Sequence, residues 1–358
     1  MKRYALLLAA LGFSASASAD LYVTFAGRSD QNPDAVGTIS LSCTYSSTTS
    51  SSCSKPSDFS WDTISNTFNY ILNFASDPPP ARLLYIEPLL NNNDPVIPVA
   101  NTTTLPVLST WAPVVSNNGG TLTMAYTEVG TNKIRVANLI NPSNASGSGN
   151  FQWVLDFKSS SRPALQLYGG DLYMAFKGQG SNLYFARGSA NGTSWSPYIQ
   201  FPDVETSIAP TLVVFKNKLY IFYRGNSTKK MYYQYLVSGN TWSGEKRISD
   251  DEETTHWPSP VVFNGKLYVA FKGGSSEHLY LMSTSDGITW TSAEMPDDNW
   301  KSDSAPAIGV YGNQLYYVFR GTGTLQIQYS KSSDSLTWTT PVHRTGAYSG
   351  GSPMLLNY

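Results

Sequence analysis

Short runs of alternating apolar and polar residues, each bounded by a turn signal, extend along most of the chain. The run KLYVAFKG, which begins at Lys266 directly after an Asn-Gly pair, is a typical example. Aromatic and β-branched residues suit such strands, whereas no long segment has the 3.6-residue apolar period of an amphipathic helix. The pattern predicts an all-β protein built from many short strands.

The strands belong to an internal repeat. In each repeat a proline is followed by Leu-Tyr nine and ten residues later, by Lys or Arg at fourteen and by Gly at fifteen. Four clear prolines are 47, 48 and 48 residues apart, a fifth follows after 47, and another precedes them by 50. In chain order they are Pro113, Pro163, Pro210, Pro258, Pro306 and Pro353. A weaker match, 52 residues before the first, has Trp61 at the proline position.

Each repeat predicts four short strands. The first follows the proline, the second contains Leu-Tyr, the third follows a polar loop, and the fourth follows a Ser/Asp/Gly turn that ends in a tryptophan. These tryptophans are Trp195, Trp242, Trp290 and Trp338. Four strands in about 40–50 residues is the size of a β-propeller blade.

The two ends of the chain complete one repeat between them. The segment DLYVTFAG, from Asp20, matches the second strand, and SPMLLNY, from Ser352, matches the first. We therefore expect the C-terminal strand to join the N-terminal blade and close the ring without a free sheet edge. Together with the weak unit at Trp61 and five clear units, this gives a seven-bladed β-propeller of four-stranded blades, one domain over residues 20–358.

The first 19 residues predict a secretory signal peptide. A basic start at Lys2-Arg3 precedes an apolar stretch and the small-residue sequence Ala17-Ser18-Ala19. Later segments are too short or too polar to span a membrane, so we expect a secreted protein, extracellular or periplasmic, that is not integral to a membrane. The net charge of −1 does not favour nucleic acid as a partner. The oligomeric state stays open.

Composition supports the β prediction and limits the chemistry. The chain has 23 Tyr, 15 Phe, 9 Trp, 28 Gly and 21 Pro, and only 14% charged residues. Its two cysteines, Cys43 and Cys53, predict a local disulfide in an exported protein. Two cysteines and three histidines do not favour a zinc site, and we predict neither a metal nor a cofactor.

The turns SDGITW, ending at Trp290, and SSDSLTW, ending at Trp338, resemble the Asp-box (BNR) turns of the sialidase superfamily. The whole repeat also resembles the seven-bladed propeller lectins of fungi and bacteria and a group of secreted sialidase-like repeat proteins. The resemblance covers the mature chain, most clearly from Pro113 onward. Ser285 stands where the usual Asp-box aspartate is expected, so the boxes are degenerate and we interpret them as structural turns.

The resemblance to sialidases implies three arginines for the substrate carboxylate, a Tyr–Glu nucleophile pair and an Asp acid/base. The nearest match to the family's Arg–apolar–Pro motif is Arg162-Pro163, which lacks the intervening residue. Acidic runs at 250–253 and 297–298 lie in polar loops, and we interpret them as solvated. No nucleophile elbow or zinc-protease motif occurs, so we predict no catalytic residues and favour a protein that is not an enzyme.

Propeller geometry places the basic residue that ends the second strand on the same face as the loops between blades. A cation beside an exposed aromatic ring suits sugar recognition. The predicted ligand-binding residues are Lys177, Arg224, Lys272, Arg320, Trp111, His256, Trp257 and Trp300. In the alternative interpretation the repeated cations join each blade to the next, and the tryptophans act as wedges between blades.

Three functions follow from these features. The first is a secreted, non-catalytic, lectin-like propeller whose partners are glycans or glycoconjugates, and it is the one the sequence favours. The second is a sialidase-like exo-glycosidase. The third is a secreted protein-interaction or toxin-associated scaffold.

Overall fold

The computed structural model describes residues 21–26, 42–45, 51–54, 82–88, 103–109, 111–118, 121–139, 156–311, 313–324, 326–348 and 352–357. The predicted signal peptide and the weak repeat at Trp61 lie outside the described residues. Every regular element in the described ranges is a β-strand. Consistently, no helix there is long and apolar enough to cross a bilayer.

Twenty-five strands are present in the described ranges. The first twelve are β1 (Leu21–Ala26), β2 (Ser42–Tyr45), β3 (Ser51–Ser54), β4 (Arg82–Pro88), β5 (Thr103–Ser109), β6 (Val114–Asn118), β7 (Thr121–Thr127), β8 (Ile134–Leu139), β9 (Ala164–Tyr168), β10 (Asp171–Lys177), β11 (Asn182–Gly188) and β12 (Ile199–Glu205). The others are β13 (Thr211–Phe215), β14 (Lys218–Arg224), β15 (Met231–Ser238), β16 (Thr241–Trp242), β17 (Lys246–Arg247), β18 (Ser259–Phe263), β19 (Lys266–Lys272), β20 (Leu279–Thr284), β21 (Ala307–Tyr311), β22 (Gln314–Arg320), β23 (Gln326–Ser332), β24 (Val342–Tyr348) and β25 (Met354–Asn357).

The sheets form a β-propeller. Five blades use consecutive strands, namely β6–β8, β9–β12, β13–β17, β18–β20 and β21–β24. A further sheet joins the two ends of the chain in the order β25-β1-β4-β5, and β2 pairs with β3 in a separate hairpin. The described strands therefore give five consecutive blades and one shared sheet, and the prediction of seven blades is wrong.

The blade count failed because it assumed a uniform repeat length. β1 ends at Ala26, yet its next partner in the same sheet, β4, does not begin until Arg82. The connection between them includes the β2–β3 hairpin, so it is an insertion within one sheet. β4 and β5, which lie between the weak match at Trp61 and Pro113 in the sequence, are the outer strands of the sheet that contains β1.

The inner strands surround one axis. They contact one another in the order β6, β9, β13, β18, β21 and β25, and β25 also contacts β6. β25 pairs antiparallel with β1, with Leu21 opposite Asn357 and Thr24 opposite Met354. We call the end of the axis where the inner strands begin the top face and the opposite end the bottom face.

Two of the five consecutive blades have the predicted four strands, and the other blades differ in the number of strands that the structure describes. The β9–β12 and β21–β24 sheets have four strands, whereas β6–β8 and β18–β20 have three. Beside β20, the outer position is reduced to two isolated bridges, Leu281 with Glu294 and His278 with Lys301. The outer segment there is polar and lacks the apolar alternation that would commit one face of a strand to the core.

The second strand of each blade is its most buried part. The five residues Leu219–Tyr223 of β14 are all buried, since neighbouring blades cover both faces of the sheet. Phe222 and Tyr233 of that blade pack against Val269 and Phe271 of the next. Burial of each such side chain contributes about 1.5–3 kcal/mol, which explains the continuous apolar run in the repeat.

Tyrosine of the Leu-Tyr pair joins neighbouring blades at the bottom face. The hydroxyls of Tyr268 and Ser335 are 3.1 Å apart, although the two residues belong to successive blades. In the preceding pair of blades, a Cβ atom at Gly287 would collide with the Tyr220 hydroxyl. Leu-Tyr therefore recurs because one residue fills its own blade and the other contacts the turn of the next.

The Ser/Asp/Gly turns are held by their aspartates. Asp286 Oδ1 accepts hydrogen bonds from the N–H groups of Ile288 and Thr289, each at 2.8 Å. These backbone donors hold the pKa of Asp286 well below its ordinary value. Trp290 packs against Phe222 of the preceding blade. The contacts give these turns a structural role.

The β2–β3 hairpin places Cys43 directly opposite Cys53. Directly paired residues on antiparallel strands have Cα atoms about 4.5–5.5 Å apart, which overlaps the range that a disulfide tolerates. The predicted disulfide is therefore compatible with the register.

We expect the protein to form the Cys43–Cys53 disulfide in an oxidising environment, because the register places the two residues as direct partners. Intact-mass measurement after oxidative refolding should give a mass lower by two hydrogens than that of the reduced sample. The reduced sample is the control, and two thiols that react with iodoacetamide in the unreduced protein would contradict the prediction.

Candidate functional site

A buried hydroxyl stands four residues before the proline of each repeat in the described blades. In four repeats this hydroxyl donates a hydrogen bond to the backbone carbonyl two residues later and accepts one from the N–H of the same residue. In the fifth repeat the hydroxyl also accepts from that N–H, but it donates to a carbonyl of another strand. The residues are Ser109, Ser159, Thr206, Thr254 and Ser302, each fully buried. Sequence analysis missed this position, although Ser349 keeps it before Pro353.

The next residue along the chain contacts the repeated cation. Lys177 Nζ donates to Ser160 Oγ at 2.6 Å, and Arg224 Nε donates to Ser207 Oγ at 2.8 Å. Each pair joins the end of a second strand to the loop that enters the same blade. The four cations thus stand in equivalent positions of the fold.

The remaining two cations follow the same rule. Lys272 Nζ donates to Thr255 Oγ1 at 3.2 Å, and Arg320 Nε donates to Asp303 Oδ1 at 2.8 Å. Arg320 also forms an ion pair with Asp303. Lys272 and Arg320 are buried, so these two side chains serve mainly as braces between the blade and its entry loop.

Arg224 reaches beyond its own blade. Its Nη1 atom donates to the Thr255 carbonyl of the next blade at 2.7 Å. Lys229 makes a parallel contact, from Nζ to the Gly274 carbonyl at 2.9 Å. The alternative interpretation, in which the cations join blades, is therefore supported at Arg224. Partial burial lowers the pKa of Arg224.

Several predicted residues meet at His256. Burial, as the largest cause, and the positive charges of Lys272, Arg224 and Arg320, opposed by Asp303, together lower the pKa of His256 to about 4. The His256 ring is half-buried, with Nδ1 3.0 Å from Thr255 Oγ1. The imidazole is therefore neutral at pH 7 and offers both a donor and an acceptor. We call Arg224, His256, Lys272, Asp303 and Arg320 the His256 cluster.

Trp257 lies beneath this cluster, at the top end of the axis. It is 3% exposed, and its ring meets that of half-buried Trp111 edge to face at 6.1 Å. The guanidinium carbon of Arg162 lies 4.1 Å from the centre of the Trp257 ring. Trp257 therefore helps to close the axis at the top face. Of the two tryptophan rings, only that of Trp111 is exposed enough for a ligand to contact.

Trp300 is not at the surface, which differs from its predicted role in ligand binding. It is 3% exposed and stacks on Phe319 at 5.4 Å. Its edge meets Trp338 at 5.7 Å, so the ring fills the core between two blades. Trp300 was expected to be exposed because the residues beside it in the sequence are polar.

The structure thus gathers Arg224, His256, Lys272 and Arg320 on the top face, with Trp257 and Trp111 beside them. Lys177 stands in an equivalent position but is not among the charges that act on His256. The described residues contain no group of three or more His, Cys, Asp or Glu that could hold a metal ion.

Comparison with known sequences identifies one family match. Residues 189–348 match the family described as "DUF6242 beta propeller domain". No curated protein matches the chain. The match covers the last blades, including the whole His256 cluster.

Two solved structures are similar over most of the chain. One is a triple arginine-to-alanine mutant of AofleA from Arthrobotrys oligospora, with 10% identity over 77% of this chain and 85% of that chain and a TM-score of 0.52. The other is the Aleuria aurantia lectin in complex with alpha-methyl-L-fucoside, with 16% identity over 77% of this chain and 95% of that chain and a TM-score of 0.52. At these identities the likeness shows the fold, a β-propeller.

The buried hydroxyl of Thr254 should contribute measurably to stability. Thr254→Val removes a bond of 2.9 Å to the His256 carbonyl and leaves the His256 N–H unpaired. We expect urea unfolding to show a loss of about 1–3 kcal/mol. Thr254→Ser keeps the hydroxyl and should lose less than about 1 kcal/mol, so equal losses would contradict this role.

His256 should make stability depend on pH. Its pKa is about 4 in the folded protein and about 6.5 when unfolded, so the unfolded state binds more protons between these values. We expect up to about 3 kcal/mol of stability to be lost as pH falls from 6.5 to 4, and no further loss from this group below that.

Urea unfolding across this range, for the native protein and for His256→Gln, isolates the contribution, because other acids titrate equally in both. Proton NMR of the imidazole gives the pKa directly. A titration midpoint above 6, or identical pH profiles for the two proteins, would contradict the burial of a neutral ring.

Proposed function

We propose that the protein is an exported, non-catalytic, carbohydrate-binding β-propeller that holds glycans at the His256 cluster. The observation that carries the proposal is the convergence of Arg224, His256, Lys272 and Arg320 on one face. These side chains come from three successive blades, which is where the chain departs least from its repeat.

The side chains that a ligand can reach in this cluster are of two kinds. Arg224 and His256 are half-buried, whereas Lys272 and Arg320 are buried and brace the loops. A guanidinium donates to hydroxyl or carboxylate oxygens, and a neutral imidazole can both donate and accept. Half-buried Trp111 adds an apolar ring nearby. Sugars present hydroxyl edges and apolar faces, and this set of groups complements both.

The carboxylates of the cluster favour binding over hydrolysis. Ordinary glycoside hydrolysis needs two carboxyl groups about 5–9.5 Å apart, one of them free to protonate the leaving group. Asp303 is engaged by Arg320 through an ion pair. Glu277, which also acts on Lys272, is exposed and outside the cluster. A braced carboxylate suits a binding surface better than a proton donor.

The structural likenesses guide the choice of ligand to test. The Aleuria aurantia lectin was solved with a fucoside, so a β-propeller of this kind can carry a sugar-binding site. The positive charge of the cluster also favours glycans with carboxylate groups. Fucosylated and acidic glycans are therefore the first candidates.

We expect the native protein to bind a subset of fucosylated or acidic glycans on an array, and Arg224→Ala to weaken that binding about tenfold, the loss of one charged hydrogen bond. Lys177→Ala is the matched control, because it removes the same brace to a serine outside the His256 cluster. It should keep native affinity.

Equal loss in both variants would point to stability instead of binding. An array without binding, or rapid cleavage of a fluorogenic sialoside between pH 4 and 8, would overturn the proposal and in the second case favour the sialidase-like alternative.

A further inference from the structure

Arg162 is a buried cation whose charge no protein group neutralises in the part of the chain that the structure describes. The side chain is 1% exposed and stands directly before Pro163, at the top of β9. Nη1 contacts Met354 Sδ, and the guanidinium faces the Trp257 ring at 4.1 Å. Nε is buried without a hydrogen-bond partner. A buried guanidinium normally has a carboxylate beside it, because burying an unpaired charge costs several kcal/mol.

The electrostatics agree with this geometry. Burial lowers the pKa of Arg162 to about 9, and no neighbouring charge acts on it among the described residues. The group is still mostly protonated at neutral pH. Facing Trp257 offsets only part of the lost hydration, since such a contact contributes about 2 kcal/mol when desolvated.

Arg162 borders a cavity along the propeller axis. All six inner strands line this axial cavity, which has a volume of about 380 Å³. Among the described residues of its wall, Arg162 is the only charged one, and the others are small, apolar or uncharged polar residues. A space of this size can hold a small ion together with several water molecules.

The axial cavity has a covered end and an end that approaches the surface. Trp257 covers Arg162 at the top, where the two side chains pack together. At the other end the wall extends to Asn117, Val214 and Val262, the next-to-last residues of β6, β13 and β18. Access is therefore from the bottom face, away from the His256 cluster.

We propose that the axial cavity binds a small anion, either a halide or a short carboxylate, against the Nε edge of Arg162. A carboxylate placed side-on would accept from Nε and the adjacent Nη2, while Nη1 stays on Met354. Water could satisfy the Nε donor but not the charge. The bound anion neutralises Arg162, the one cation among the described residues of the cavity wall. This site is independent of the proposed glycan site.

Met354 makes the site testable, because its sulfur already touches the guanidinium. Met354→Glu would place an internal carboxylate on Arg162, and Met354→Gln is the neutral control of the same length. Arg162→Met removes the charge. Melting temperatures are measured in a low-salt zwitterionic buffer, after exhaustive dialysis, while sodium acetate or sodium chloride is added.

We expect saturable stabilisation of the native protein and of Met354→Gln, by about 4 °C at a hundredfold excess over Kd. Acetate more effective than chloride would identify a carboxylate site, and the reverse order a halide site. Arg162→Met and Met354→Glu should show no saturable response.

An unsaturable response in the native protein, or equal responses of Met354→Glu and Met354→Gln, would overturn the proposal. The comparison of Met354→Glu with Met354→Gln tests the proposal even if Arg162→Met fails to fold. Glycan binding by Met354→Glu should be unchanged, so failure of this inference and failure of the proposed function give different results.

Discussion

The structure depends on six inner strands meeting around one axis. Each inner strand must begin at the same level along the propeller axis. In the described blades, a buried hydroxyl four residues before the proline fixes the loop that leads into the strand, and so fixes that level. The hydroxyl satisfies the N–H and the carbonyl of one loop residue, so the loop can pass close to the axis without unpaired polar groups. Proline then prevents the first strand from starting earlier, since it cannot donate a ladder hydrogen bond.

Once the inner strands are placed, the seams between blades follow. At the bottom, tyrosines such as Tyr268 contact the turn of the next blade. In the middle, aromatic residues of successive second strands pack together. At the top, Arg224 crosses to the next entry loop. The repeated residues of the sequence therefore stabilise the contacts between and within blades. Because structure alone explains their recurrence, the repetition of a residue is weak evidence that it binds a ligand.

The sequence predicted the propeller well, because proline, Leu-Tyr and the terminal Trp recur at constant spacing and each constrains one strand or turn. It overestimated the blade number, because an insertion between β1 and β4 has the length of a blade but contributes no inner strand to the described ring. It named His256 and the cations as one set of residues, and the structure places Arg224, His256, Lys272 and Arg320 on the same face. It expected Trp300 at the surface, where the structure buries it, since exposure of a tryptophan depends on packing between blades, which linear patterns do not encode. In the sequence Arg162 matched only part of a sialidase motif. Its isolation in the axial cavity depends on three-dimensional packing, which places no acid beside it among the described residues.

A functional role is best supported at positions where one repeat carries a residue that differs from the residue shared by the other repeats. The residue before each repeat proline is small in four repeats, namely Ala112, Ala209, Ala305 and Ser352, because the inner strands converge there. Arg162 and Trp257 are the two exceptions, and they pack on each other across the axis. A ring that needed only to close would place small residues at both positions, since a buried unpaired cation is destabilising. The packing of Arg162 on Trp257 thus closes the axis at the top face, where His256 and Arg224 remain partly exposed. Below it lies the axial cavity, in which the charge of Arg162 favours the binding of an anion.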